Sequence, residues 1–484
     1  MPSSSISNNW PEQHARPARA AYWTVPLLGM LIACAVVFDP PATRSLSRHL
    51  FGNGFAGMIP LLAVPSLVLV ATLLIAGIRN SQRLFARREA IYILLLFVPT
   101  QFIGFNVANI EPSKIGILIV LLLWSLDLLA ERRALRFYSP LLVIWIGLLA
   151  FAFASTINGG VVSVVSLYSI FAKLLVFVLA VNVIRSWESL YFAIRLIPYL
   201  GLFTSVIAML QEVIYYFYQI PLTLDDNASK FWFKDTPFGP MLRASAFHPT
   251  SENMAHFLLL AIALTWFGTF SRRFKFIAVS AMSGAIFLTF SGNALLMLLV
   301  LLVIGVFMRR PSYSLHYLSL IALAGAAMYF AGGFTWLDNH FFATIAGKST
   351  QDRLSLLQLG IEVIERHPWI GMGLNNFGRV SPQPVHNAYF QLATEIGVGA
   401  AALLMALLLL IGLRLAMAQR QLRDPVQKNA ATGVLLGLIV LAGHFLFEPF
   451  FTSPISWSYI GLAEAAAMVL LAASRHSPAA RGLD

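Results

Sequence analysis

Long apolar segments recur along the whole 484-residue chain, most of them about 17–24 residues, the length a helix needs to cross a bilayer. Fourteen are read, near 22–38, 58–78, 90–106, 114–130, 140–156, 164–184, 196–219, 254–270, 276–290, 293–308, 315–332, 396–416, 430–448 and 455–473, within an expected range of 12–14 transmembrane helices. A lipid-exposed segment must satisfy its backbone polar groups internally, which here means helices. The expected fold class is therefore an all-α polytopic membrane protein. Composition agrees: 58% of residues are hydrophobic, 11% are charged and mean hydropathy is +0.76. Such a balance excludes a water-soluble enzyme, a disordered chain and a disulfide-built secreted domain. The single cysteine, Cys34, sits in an apolar run and can form neither an internal disulfide nor a thiolate metal cluster.

The net charge of +12 would point to nucleic acid in a soluble chain, but the positive-inside rule explains most of it. With the amino terminus inside, every cytoplasmic turn carries at least two basic residues, among them Arg79/Arg83/Arg87/Arg88, Arg132/Arg133/Arg136 and Arg414/Arg420/Arg423/Lys428. Three outer connections carry none, and Lys173 lies within a span. The chain divides into a Ser/Asn/Pro/Arg-rich cytoplasmic tail (1–21), amino-terminal spans (22–220), a first outer loop (221–253), central spans (254–332), a large outer loop (333–395), carboxy-terminal spans (396–473) and a second tail (474–484). No signal-peptide cleavage site follows the first apolar run, and no internal repeat is present.

The two outer loops are far longer than the usual connection of about 4–6 residues, and long loops tend to carry function. Seven basic residues sit in them against the orientation rule: Lys230, Lys234, Arg243, Lys348, Arg353, Arg366 and Arg379. An anionic ligand at the outer face accounts for their presence. In the second loop Ser349-x-x-Asp352 reads as a capping box opening an amphipathic helix with the apolar stripe Leu354, Leu357, Ile361 and Ile364, stopped at His367-Pro368. A turn-rich stretch follows and ends at His386-Asn387-Ala388-Tyr389, where a new helix begins and runs towards Glu395. Gly371-Met372-Gly373 is no phosphate loop, since it follows no strand and lacks the GK[ST] ending.

These side chains carry competing readings. His386, at a loop-to-helix entry, is either a functional side chain or a loop histidine satisfied by the backbone. Arg353 and Arg243 contact an anionic ligand or lipid phosphates. Arg366 and Arg379 bind substrate or are solvated, with Glu362 and Glu365 as ion-pair partners. Lys173 faces a polar interior or snorkels. Glu395 orients substrate or caps its helix, and His444 with Glu448 at i, i+4 reads as a satisfied helix pair.

Arg353-Leu354, then His367-Pro368-Trp369-Ile370-Gly371-Met372-Gly373-Leu374-Asn375-Asn376-Phe377, then His386-Asn387-Ala388-Tyr389 with Glu395-Ile396-Gly397, resembles the signature loop of the bacterial O-antigen ligase and O-antigen polymerase superfamily. Arg243-Ala244-Ser245-Ala246-Phe247 is similar to that family's upstream arginine segment. The resemblance implies a metal-independent, GT-C-like glycosyltransferase of the inner membrane with a periplasmic catalytic loop and no cofactor. It implies an undecaprenyl-diphosphate-linked oligosaccharide as donor and either a second glycan repeat unit or lipid A–core as acceptor. Membrane lipid and a chain-length regulator are further expected partners; nucleic acid is not. In the family the histidine of the HNxY-type motif is the proposed base and outer-loop arginines hold the diphosphate, roles that fall on His386, Arg353 and Arg243, with Lys173, Asn387, Tyr389, Glu395, Arg366 and Arg379 as substrate-binding candidates. Two departures are Ser291-Gly292, where the family often has Ser-Arg, and fourteen spans rather than a dozen.

Polymerisation of a surface polysaccharide is the first expectation and ligation to lipid A–core the second. A lipid-linked oligosaccharide flippase is the alternative of another class. It would concentrate ionisable residues at mid-membrane, whereas the polar chemistry of this chain lies in two outer loops.

Overall fold

The computed structural model describes residues 88–101, 112–130, 139–218, 233–236, 239–309, 319, 347–381, 383 and 385–475; at 101, 234–236, 239–240 and 347–353 the backbone alone is described. The chain divides into two compact units, Met1–Ile91 and Tyr92–Asp484, and the elements below belong to the second apart from the start of the first helix. They are α1 Arg88–Phe97, α2 Pro112–Ala130, α3 Leu142–Val183, α4 Trp187–Tyr218, β1 Phe233–Thr236, β2 Gly239–Leu242, α5 Ser251–Phe267, α6 Arg272–Phe287, α7 Gly292–Arg309, α8 Gly347–Arg366, α9 Ala388–Glu395, α10 Val398–Gln421, α11 Pro425–His444 and α12 Pro454–Arg475.

Among the described residues seven helices are long and apolar enough to cross a membrane: α2, α3, α4, α7, α10, α11 and α12. With α5 and α6, only slightly shorter at 17 and 16 residues, they coincide with the spans read between 114 and 308 and between 396 and 473. The spans near 22–38, 58–78 and 315–332 lie outside the described residues. Of the span near 90–106, α1 and a short 3-10 turn at Pro99–Gln101 are described.

Helix α3 contains two of the expected spans. Its 42 residues are interrupted at Gly160, with φ 62° and ψ −151°, a conformation that favours glycine. The indole Nε1 of Trp145 donates to the carbonyl of Leu174 at 2.9 Å. In a straight helix those positions would be about 43 Å apart, so the chain reverses at Gly160 and the two limbs pack as a hairpin.

Helix starts are chemically marked. Thr250 accepts from Asn253 N at the head of α5, Ser271 from Phe274 N at α6, and Asp424 from Val426 N at α11, where Pro425 sits at the first position. Helix α12 is the most enclosed span and packs on α3, α10, α11 and α4, whereas α2 turns Leu118, Leu122, Leu126 and Leu129 outward, as a lipid-facing helix must. Between α10 and α12 lies an ion pair of Arg414 with the fully buried Glu464, which also accepts from Ser139 Oγ at 2.7 Å.

One element was not foreseen, and one expectation is corrected. The first outer loop contains an antiparallel two-stranded ribbon, Phe233 opposite Leu242 through Thr236 opposite Gly239, which the sequence did not announce because Pro240 and mixed polarity hide it. Helix α8 begins at Gly347, so Ser349 lies inside it rather than capping it, and its buried side is Leu356, Gly360 and Val363 rather than the expected stripe. Leu354 and Ile361 face outward. The helix carries apolar residues on two sides, and the small Gly360 lets Phe390 of α9 approach, which selects the inner one. Leu356 and Val363 cluster there with Phe377 and Val385.

Candidate functional site

The outer connections expected from the charge pattern meet at one end of the bundle. In the first outer loop, Gln211 of α4 holds the backbone by accepting from Ser245 N and Ala246 N at 3.1 and 2.7 Å. Arg243 emerges there and donates from Nε to the Thr289 carbonyl at 2.9 Å, in the turn between α6 and α7, while its guanidinium pairs with Glu252 in the first turn of α5. Burial raises the Glu252 carboxyl, but the Arg243 guanidinium outweighs it and holds it below the usual carboxylate range. Arg243 is thus a fixed cation, with Glu252 as its counter-charge.

Past the Thr289 turn, Asn293 on the first turn of α7 donates from Nδ2 to Glu448 Oε1 at 2.9 Å. Glu448 lies beyond the end of α11, and its other oxygen faces Nδ1 of His386 at 3.7 Å. His386 and Glu448 stand on a shared frame: Ala388 N donates to the Phe445 carbonyl at 2.7 Å and Tyr389 Oη to the Ala442 carbonyl at 3.0 Å. The Asn387 side chain accepts from Phe390 N at 3.0 Å and caps α9, which leaves His386 immediately outside a helix N-terminus. Its imidazole remains 28% exposed although Nδ1 is buried and has no hydrogen-bond partner.

The large loop is stitched to the same frame. Met372 N and Gly373 N donate to the carbonyls of Thr394 and Glu395, both at 2.9 Å, and Asn375 N donates to the Glu395 carboxylate at 3.0 Å. Burial raises the Glu395 carboxyl to about 7, against the lowering hydrogen bonds that it accepts from Asn375 N and from the Gln391 side chain. Asn376 reaches across to the α3 hairpin, donating to Ser163 Oγ at 2.7 Å and to the Gly159 carbonyl at 3.1 Å. Among the described residues the non-glycine positive-φ positions are Ala246, Phe290 and Asn375, one in each of the three loops that build this end. Such backbone strain clusters at functional sites.

The expected site residues are placed as follows. His386, Asn387 and Tyr389 fall together, and Arg243 joins them through the Thr289–Asn293 turn and Glu448. Asn387 acts on the backbone as a cap, Tyr389 binds the end of α11, and burial raises the Tyr389 hydroxyl to about 12. Glu395 holds the large loop. Arg379 donates to the Gly159 carbonyl at 3.4 Å, and Arg366 pairs with Glu362 at 3.6 Å on the exposed side of α8. Lys173 lies half-buried in the second limb of α3, in none of the contacts just described. Arg353 is on α8, and its side chain is outside the described residues.

Glu448 and Asn293 were not anticipated as site residues. Glu448 pairs with His386 from the large loop rather than with His444, the last residue of α11, alone. His444 faces His256 instead, Nδ1 to Nδ1 at 3.0 Å, and His256 also contacts Ser456 Oγ at 3.2 Å. His248, in the same loop as Arg243, is fully buried, and burial lowers it to about 3. Among the described residues no group of three or more His, Cys, Asp or Glu is arranged to hold a metal ion.

The fold and the polar end together define a multi-pass helical membrane protein with a partly open histidine at the rim of its bundle. Residues 277–405 match the family model described as O-antigen ligase, and the match supports the O-antigen ligase superfamily for this chain. The matched segment carries α7, α8, His386 and α9, whereas Arg243 and Glu448 lie on either side of it. No curated protein matches the chain.

Proposed function

We propose that the protein is a glycosyltransferase of the bacterial inner membrane that takes a glycan from an undecaprenyl-diphosphate donor at the periplasmic face and polymerises repeat units of a surface polysaccharide. The supporting observation is His386: a partly exposed imidazole at a capped helix start, inside the family-matched segment, at the same end as Arg243. The donor already has a good leaving group. Its barrier lies in deprotonating the acceptor hydroxyl and in the charge that grows on the diphosphate.

His386 takes the hydroxyl proton. The freed oxygen pair forms the new bond to the anomeric carbon, and the carbon–oxygen bond to the diphosphate breaks with its pair going to phosphate. Attack opposite the leaving group inverts the anomeric configuration. Arg243 and Arg353 are assigned to the diphosphate, since guanidinium stays charged and pairs bidentately with phosphate oxygens.

His386→Ala tests the reading. Membrane-embedded protein with that change should retain its fold and lose transfer by about 10²–10⁴-fold, the usual worth of a general base. Undiminished polymer or ligated product would refute the reading. The family description favours ligation to lipid A–core as the second reading. A deletion strain separates the two: single lipid-linked units mark a lost polymerase, long unattached chains a lost ligase.

A further inference from the structure

Nδ1 of His386 is buried and lacks a hydrogen-bond partner, although the side chain as a whole keeps 28% exposure. The open part of the ring is therefore elsewhere. The carboxylate facing Nδ1 is Glu448, at 3.7 Å, too long for a hydrogen bond but within the range over which catalytic pairs tighten when substrate arrives. Glu448 is itself only 8% exposed, and its two oxygens are divided, Oε1 to Asn293 and Oε2 towards the imidazole. Its own N–H donates to the His444 carbonyl at 3.0 Å, which fixes its backbone at the end of α11. The same α11 end accepts from Ala388 N and Tyr389 Oη, so the carboxylate and the imidazole are held by one rigid support. Among the described residues the charged and titratable groups bearing on Glu448 and its surroundings include His386 from the large loop and His444 at the end of α11, while Glu252, paired with Arg243, also bears on His444 from α5.

We propose that Glu448 is a positioning residue for His386: it accepts the Nδ1 proton, fixes the ring in the Nδ1–H tautomer and leaves Nε2 as the lone pair that takes the acceptor proton, with Asn293 holding Glu448 in place. The inference rests on the base role assigned to His386. It gives the Ser291-Gly292-Asn293 turn a function, namely to orient the acid that orients the base. When Nε2 takes the proton, the imidazolium forms against a carboxylate already in place, and no group need reorganise.

Glu448→Gln conserves shape and can still accept from Asn293. Its amide nitrogen, however, would donate to Nδ1 and drive the proton to Nε2. In full-length protein in lipid nanodiscs with a polyprenyl-diphosphate-linked glycan, kcat should fall about 10²–10⁴-fold, as with other carboxylate-to-amide changes behind a histidine base, with KM for the donor within about twofold. Glu448→Asp should recover at least tenfold over Glu448→Gln. Nitrogen NMR of ring-labelled histidine, with the His386 signal assigned by its loss in His386→Ala, should show Nδ1–H in the native protein and in Glu448→Asp, and Nε2–H in Glu448→Gln. An unchanged tautomer together with unchanged kcat in Glu448→Gln would overturn the proposal while leaving the base role intact. Persistent transfer in His386→Ala would instead sink the base role, and the NMR comparison would still decide the pairing. Should Glu448→Gln not fold, the Glu448→Asp tautomer alone decides: Nε2–H there overturns the proposal.

Discussion

Gly373 lies against Gly159 so closely that a Cβ on Gly373 would sit 2.3 Å from the Gly159 Cα. Two backbones separated by more than two hundred residues touch without a side chain between them, which docks the large loop onto the α3 hairpin. Gly373 also has φ 103°, so alanine there is strained as well as obstructed. Gly160, a few ångströms of chain away, has φ 62° but open space where its Cβ would be. Gly373→Ala should therefore lower stability by more than about 3 kcal/mol and undock the loop, while Gly160→Ala should cost about 1–3 kcal/mol from a backbone region open essentially to glycine alone, and leave the loop docked. Thermal unfolding in detergent checks both; equal losses would contradict the docking.

Asn387 provides a second test. Its side-chain oxygen caps α9 beside His386, so Asn387→Ala should cost about 1 kcal/mol, and Asn387→Asp or Asn387→Ser should restore most of it. A substrate-binding amide would not be replaced by a hydroxyl or a carboxylate. Transfer rate and melting temperature should therefore move together across the three variants.

Glu395 gives a pH signature. Its carboxyl is raised from 4.5 to about 7 by burial, so the folded state favours the protonated form. The stability this group contributes is full below about pH 4.5 and is lost as pH rises through about 7. Glu395→Gln, a permanently neutral near-isostere, should match the native protein near about pH 4 and exceed it above about pH 8, by an amount on the order of a few kcal/mol. Melting temperatures of the two proteins across that range check the divergence; parallel curves would show that Glu395 stays ionised.

The described spans were legible because lipid imposes them: apolar length needed no tertiary knowledge. The reversal at Gly159-Gly160 was legible for the same reason, since one apolar run was long enough for two crossings. His386 could be placed at a helix start because Asn387 is a good cap and Ala388 begins a helical pattern. The partner of His386 was not legible. Glu448 lies 62 residues further on, and periodicity could offer only its i−4 neighbour His444. The register of α8 was hidden too, because two apolar stripes competed and only the seat of Phe390 over Gly360 decides between them.

The buried pair of Arg414 and Glu464 has a consequence for biogenesis. Arg414 is synthesised on α10 two helices before its counter-ion exists, so a nascent chain carries an unneutralised guanidinium at the edge of the bilayer until α12 is inserted. Completion of the last hairpin neutralises it.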